Sequence, residues 1–91
     1  MNPSVLFVGN IPWGLTESDL ADAFAAGGPV IGARIVRDHR NGLSRGFGFV
    51  EMADAEGAAK ALAGLDGTTL QGRVLKVGWA RYAQARQRAG L

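Results

Sequence analysis

Arg45, Phe47 and Phe49 occupy alternate positions in the stretch RGFGFVEM, residues 45–52, and that spacing is the first chemistry the chain offers. Side chains two apart in an extended strand share a face. One face would then carry a guanidinium, two flat rings and Glu51, and the other Gly46, Gly48, Val50 and Met52. Burying a phenylalanine is worth about 1.5–3 kcal/mol, which argues for turning the rings inward. Two charges on the same face argue for turning them outward. Displayed rings beside cations can stack on other flat rings and attract anions, so a ligand with both features would suit them.

Other chemistries find few residues. His39 is the single histidine and the chain has no cysteine, so neither a metal site nor a Cys-His pair can be assembled around it. Ser18 and Ser44 lack a plausible base, and no triad suggests itself. Gly46 and Gly48 lie inside a strand pattern without a third glycine, which is no dinucleotide fingerprint. We therefore expect neither an enzyme nor a cofactor.

The elements that must position the rings follow from periodicity and turn residues. Residues 4–9, SVLFVG, read as a strand that leaves through Asn10, Pro12 and Gly14. Thr16 and Asp19 resemble a capping box for a helix whose Leu20 and Phe24 fall at i, i+4 before Gly27-Gly28-Pro29. Residues 30–37 give a second strand, with Ile31, Ala33 and Ile35 on one face. Asn41-Gly42 turns it into the third, RGFGFVEM. Asp54 caps a second helix with Ala58, Leu62 and Leu65 at helical spacing, and residues 73–80, RVLKVGWA, alternate as a fourth strand. The order is βαββαβ. Such an α+β, ferredoxin-like domain lays two helices on one face of a four-stranded antiparallel sheet and leaves the other face open. Ninety-one residues hold one domain, here residues 1–82, followed by a basic tail, residues 83–91.

Parity assigns the faces. Leu6, Val8, Ile31, Ala33, Ile35, Val50, Met52, Leu75 and Val77 form the expected floor under the helices, where Gly46 and Gly48 would let the helices come close. Phe7, Arg34, Arg45, Phe47, Phe49, Glu51 and Lys76 fall on the open side. Charge is segregated in the same sense. Residues 1–30 carry only acids, whereas residues 73–91 carry five bases and no acid, and the pI is near 9.7. A polyanion is the partner this distribution suits.

At these residues the chain resembles the RNA-recognition motif family. RGFGFVEM is similar to its octapeptide and LFVGNI, residues 6–11, to its hexapeptide, with Met52 where the family has Phe or Tyr. The resemblance spans roughly residues 4–80, and it looks most like the stand-alone single-domain proteins of bacteria. It implies that Phe7 and Phe49 stack on bases, Phe47 packs on a sugar and Arg45 pairs with phosphate. Asn10, Arg34, Arg37, Arg40, Lys76, Ala80, Arg81 and Tyr82 complete the expected RNA-binding set. Tyr82 is either a further stacking ring or a linker residue. Trp13 and Trp79 are expected to pack rather than bind.

The reading is a monomeric single-stranded RNA-binding module, with single-stranded DNA as a second candidate ligand. The alternative is a protein-interaction domain of the same fold, whose relatives commonly lack the aromatic platform. No apolar run approaches the ~20 residues of a membrane span, and the N-terminus does not read as a secretory signal. A cytoplasmic location is expected, or a nuclear one if the source is eukaryotic.

Overall fold

The computed structural model describes residues 4–80. Its elements are β1 (Val5–Gly9), α1 (Glu17–Phe24), β2 (Val30–Arg37), β3 (Ser44–Met52), α2 (Ala55–Leu65), β4 (Thr69–Leu70), β5 (Arg73–Val74) and β6 (Lys76–Trp79). β2, β3, β1 and β6 lie side by side in that order as one antiparallel sheet, while β4 and β5 pair only with each other. This is the expected α+β ferredoxin-like arrangement, with a small hairpin added before the last strand.

Both helices start where their caps dictate. The Asp19 N–H donates to Thr16 Oγ1 and the Thr16 N–H donates back to the Asp19 carboxylate, both at 3.1 Å. At α2 the Gly57 N–H donates to Asp54 Oδ1 at 2.7 Å. Each cap satisfies donors that the first turn would leave unpaired. α1 buries Leu20 and Phe24 and runs on into one 3-10 turn, Ala25–Gly27. α2 buries Gly57, Ala58 and Ala61, whereas Leu62 and Leu65 are only partly buried. The buried stripe is rotated from the one its leucines suggested, because small residues are needed where the 3-10 turn meets α2. A Cβ on Gly27 would lie 2.7 Å from that of Ala61.

Beneath the helices the sheet contributes Leu6, Val8, Val50, Met52 and Val77, all buried as parity required. Three expectations need correction. Ile31 is 65% exposed, because the β2–β3 register shifts between Val30 and Gly32, so the extra residue turns out of the ladder and Val30 packs on the core instead. The run at residues 73–80 is two strands rather than one. Gln71 and Gly72 take positive φ values of 49° and 83°, closing the β4–β5 hairpin, and Leu75 breaks the line to bond with Thr68 and Gly67. Finally, the glycines of β3 accommodate strands, not helices. A Cβ on Gly48 would run into the carbonyl oxygen of Arg34 on β2. Gly46 takes a φ of 83° at the irregular end of the same ladder, a conformation that side chains resist.

Candidate nucleic-acid interface

The rings are displayed. Phe7, Phe47 and Phe49 are each half-buried on the face opposite the helices. In register, Phe7 on β1 faces Phe49 on β3, and Gly9 faces Phe47. Phe7 is therefore the middle ring, 5.8 Å from Phe47 in a tilted contact and 5.9 Å from Phe49 in an edge-on one. These are ordinary aromatic pairings, which fix the rings without covering them. Gly9 leaves the room this needs, since a Cβ there would stand 3.2 Å from the Phe7 ring. Across β1 from β3, Gly78 on β6 pairs with Phe7 and has open space where a side chain would be.

Cations border the rings on three sides. The Arg45 guanidinium carbon lies 5.9 Å from the Phe47 ring centre. Arg34 is in register with Phe49 on the β2 side, and Lys76 with Gly9 on the β6 side, both exposed. Glu51 follows Phe49 on the same strand, half-buried. The β2–β3 loop ahead of Arg45 has one acid, Asp38. The Arg40 N–H donates to its carboxylate at 2.8 Å and the Arg40 guanidinium at 3.4 Å, and these bonds, helped by the charge of Arg45, hold its pKa below the usual carboxylate value. The loop thus keeps its acid occupied.

The remaining expected residues are placed differently. Arg37 donates to Glu17 of α1 at 3.0 Å, so its guanidinium is engaged by the helix. Glu17 also accepts from the Ile35 N–H at 3.4 Å. Burial works against ionisation of Glu17, but hydrogen bonds from its own backbone, Arg37 and Ile35 outweigh it and lower its pKa. Asn10 takes a φ of 59° and acts as a latch, donating from Nδ2 to the Val74 carbonyl at 2.7 Å. Its Oδ1 accepts from Arg73 Nη2 at 2.5 Å and Nε at 3.1 Å. Arg73 is a cation of this rim outside the expected binding set, and the Gln71-Gly72 turn before it is the signal that marks it. Ala80 is buried, so its side chain is not part of the exposed surface. Arg81, Tyr82 and the tail at 83–91 lie outside the described residues. Trp79 packs partly against the core as expected, but Trp13 is 70% exposed and seals nothing. Ile11 and Leu15 fill the position it was expected to take. Among the described residues no three His, Cys, Asp or Glu side chains come together as a metal site, and no helix is long and apolar enough to cross a membrane.

Two aromatic strands lie side by side at the centre of a βαββαβ sheet, and the family model for the RNA recognition motif matches residues 6–76. The chain belongs to the RNA recognition motif family. Among curated relatives, the 31 kDa chloroplastic ribonucleoprotein of Nicotiana sylvestris is 47% identical over 72 residues, covering 79% of this chain and 23% of that protein. The mitochondrial glycine-rich RNA-binding protein 2 of Arabidopsis thaliana is 40% identical over 84 residues, covering 92% of this chain and 53% of its own length. The chain thus spans about half or less of these relatives. Solved RRM structures overlay closely. A Sex-lethal protein–RNA complex gives a TM-score of 0.81 at 35% identity, covering 86% of this chain and 47% of that one. The RNA15 RRM with bound RNA (GU) gives 0.79 at 30% identity, covering 97% and 99%.

Proposed function

We infer that this RRM binds single-stranded RNA across its open sheet face. The observation that carries the reading is the cluster of Phe7, Phe47 and Phe49, in which the Phe7 centre lies 5.8 Å from Phe47 and 5.9 Å from Phe49, on the face opposite both described helices, with Arg45 beside Phe47. RRM relatives that carry RNA in their solved structures support it. Bases lose stacking partners when a strand is unpaired, and the rings replace them. Each base–aromatic stack is worth about 1–3 kcal/mol. Phosphates linking the stacked bases would run past Arg45, Arg34 and Lys76, which neutralise charge without reading sequence. Rings half-sunk among neighbours are already ordered, so little rotamer freedom is lost when a base arrives.

The chain acts as a monomer on this reading, and no catalytic step is assigned to it. Single-stranded DNA offers similar stacking faces and the same phosphates and would compete, with discrimination resting on contacts to the 2′-hydroxyl and on thymine standing in place of uracil. The test is substitution of each ring in turn. Phe7→Ala, Phe47→Ala and Phe49→Ala should each weaken binding to a randomised RNA pool by about 1–3 kcal/mol while circular dichroism shows a folded domain. Unaltered affinity in all three would refute the reading. Unfolding of the kind expected for the buried Phe24, about 3–5 kcal/mol, would show that the rings belong to the core.

A further inference from the structure

The loop end of the sheet holds an aromatic side chain that the platform does not use. Trp13 is 70% exposed, yet both sides of it are anchored, because Ile11 and Leu15 are each 1% exposed. The Leu15 N–H donates to the Pro12 carbonyl at 3.1 Å, which closes a four-residue turn with Trp13 at its corner. An indole can bury roughly 150–250 Å² against a partner. Here it is held out by a turn whose ends cannot retreat, so it is presented rather than left over from packing.

Its surroundings identify the occupant. The Ile11 N–H donates to the Gly46 carbonyl at 2.8 Å, tying this turn to β3 between Arg45 and Phe47. On the other side Asn10 holds the β4–β5 hairpin and the Arg73 guanidinium. Trp13 is three residues from Asn10, a length of chain that spans at most about 11 Å. The turn that carries Trp13 thus leaves a segment tied to β3 beside Arg45 on one side and, through Asn10, to Arg73 on the other, with Lys76 opening β6 at the same end and Asp38 already bound by Arg40. An exposed aromatic ring on a turn whose base is flanked by cations fits a nucleobase with its phosphate better than an apolar peptide.

We propose that Trp13 and Arg73 form an additional nucleotide station beyond the sheet, where the indole stacks on the base next to those on the platform and Arg73 meets its phosphate. The station rests on the reading that the platform binds RNA, and oligomer length separates the two. Mixed-sequence RNA oligomers of about four and about eight nucleotides would be titrated against the full chain, the shorter sized to cover the platform. Trp13→Ala should weaken the longer oligomer about 5- to 150-fold, the range of one stacked base, and leave the shorter unchanged. Trp13→Phe should keep most of the affinity and Trp13→Leu should not, since a station that only needed apolar area would accept leucine. In a Trp79→Phe background the indole fluorescence should be quenched by the longer oligomer alone. Equal affinities of Trp13→Ala and wild type for the longer oligomer, equal losses on both lengths, or leucine matching phenylalanine would each overturn the station. Wild-type protein that binds neither oligomer would overturn the platform reading and the station with it.

Discussion

Gly48 is the position at which one methyl group should do most harm to the platform. Its absent side chain leaves the space into which the β2 backbone settles. A Cβ would collide with the Arg34 carbonyl oxygen and lie 3.1 Å from the Ile35 Cα and 3.2 Å from the Arg34 carbonyl carbon. All three are backbone atoms of a strand bonded into the ladder, so none can rotate aside. Gly48→Ala must push β2 away, and overpacking of this kind costs about 1–3 kcal/mol. For a domain of this size each kcal/mol lowers the melting temperature by about 4–8 °C, so the expected fall is about 4–24 °C. Gly78→Ala is the control. Its Cβ would meet nothing within 4 Å, and its backbone is not in the left-handed region, so its stability should hold or rise by about 0.4–1 kcal/mol. Because Arg34 is in register with Phe49, moving β2 should also lower RNA affinity although no binding side chain has been altered. Thermal melts by far-ultraviolet circular dichroism decide the matter. A Gly48→Ala protein that melts no lower than Gly78→Ala would show that β2 is not seated on this glycine.

Glu17 has a pKa held below its ordinary 4.5, so its stabilisation is present above that value and is lost as pH falls through the lower folded-state value. Glu17→Gln should therefore destabilise at neutral pH, by less than about 1 kcal/mol for so exposed a pair, and the gap in melting temperature should close in acid. A gap that widens in acid would reverse the assignment. Ile31→Lys should change stability by no more than about 0.5 kcal/mol, as exposed sites do, whereas Val50→Asp buries an unpaired carboxylate and should abolish folding. Equilibrium urea unfolding distinguishes them, and a strongly destabilised Ile31→Lys would place that side chain back in the core. Deleting residues 83–91 removes Arg86 and Arg88 and should flatten the slope of log K against log salt on RNA by up to about 1.4, at roughly 0.7 per lost phosphate contact. An unchanged slope would show that those arginines do not reach the backbone.

The arrangement of the rings was legible in the sequence because alternation is a strong signal where it is unbroken. From Phe47 to Met52 nothing interrupts β3, and the two faces separate as parity demands. Alternation is blind to an inserted residue. Ile31, Ala33 and Ile35 look like one face, but the bulge after Val30 takes Ile31 out of step and leaves the other two inside. The same blindness joined RVLKVGWA into one strand, although the hydrogen bonds that divide it at Leu75 come from residues 67 and 68, across the hairpin. The Arg37–Glu17 pair is not legible in the sequence, because the two residues stand 20 positions apart. Trp13 was misplaced by a general preference for burying large rings. Ile11 and Leu15 satisfy the core at that corner, and no local pattern states which of three apolar neighbours will be left out.

The irregularities of β2 bear on what happens when many copies of this protein share a solution. β2 is one outer strand of the sheet and β6, four residues long, is the other. Any outer strand offers unpaired amides and carbonyls to which a foreign strand can add, the route by which sheets grow into aggregates. On β2 the register breaks between Val30 and Gly32 and again between Ile35 and Arg37, leaving a short regular run between the two breaks. Bulges bend and twist a strand, so an incoming partner would keep alignment for only a few bonds. Arg34 lies within that run and would set its charge against its own image in an added copy. A domain that must keep one sheet face bare for its ligand is thereby guarded along the sheet's longer border.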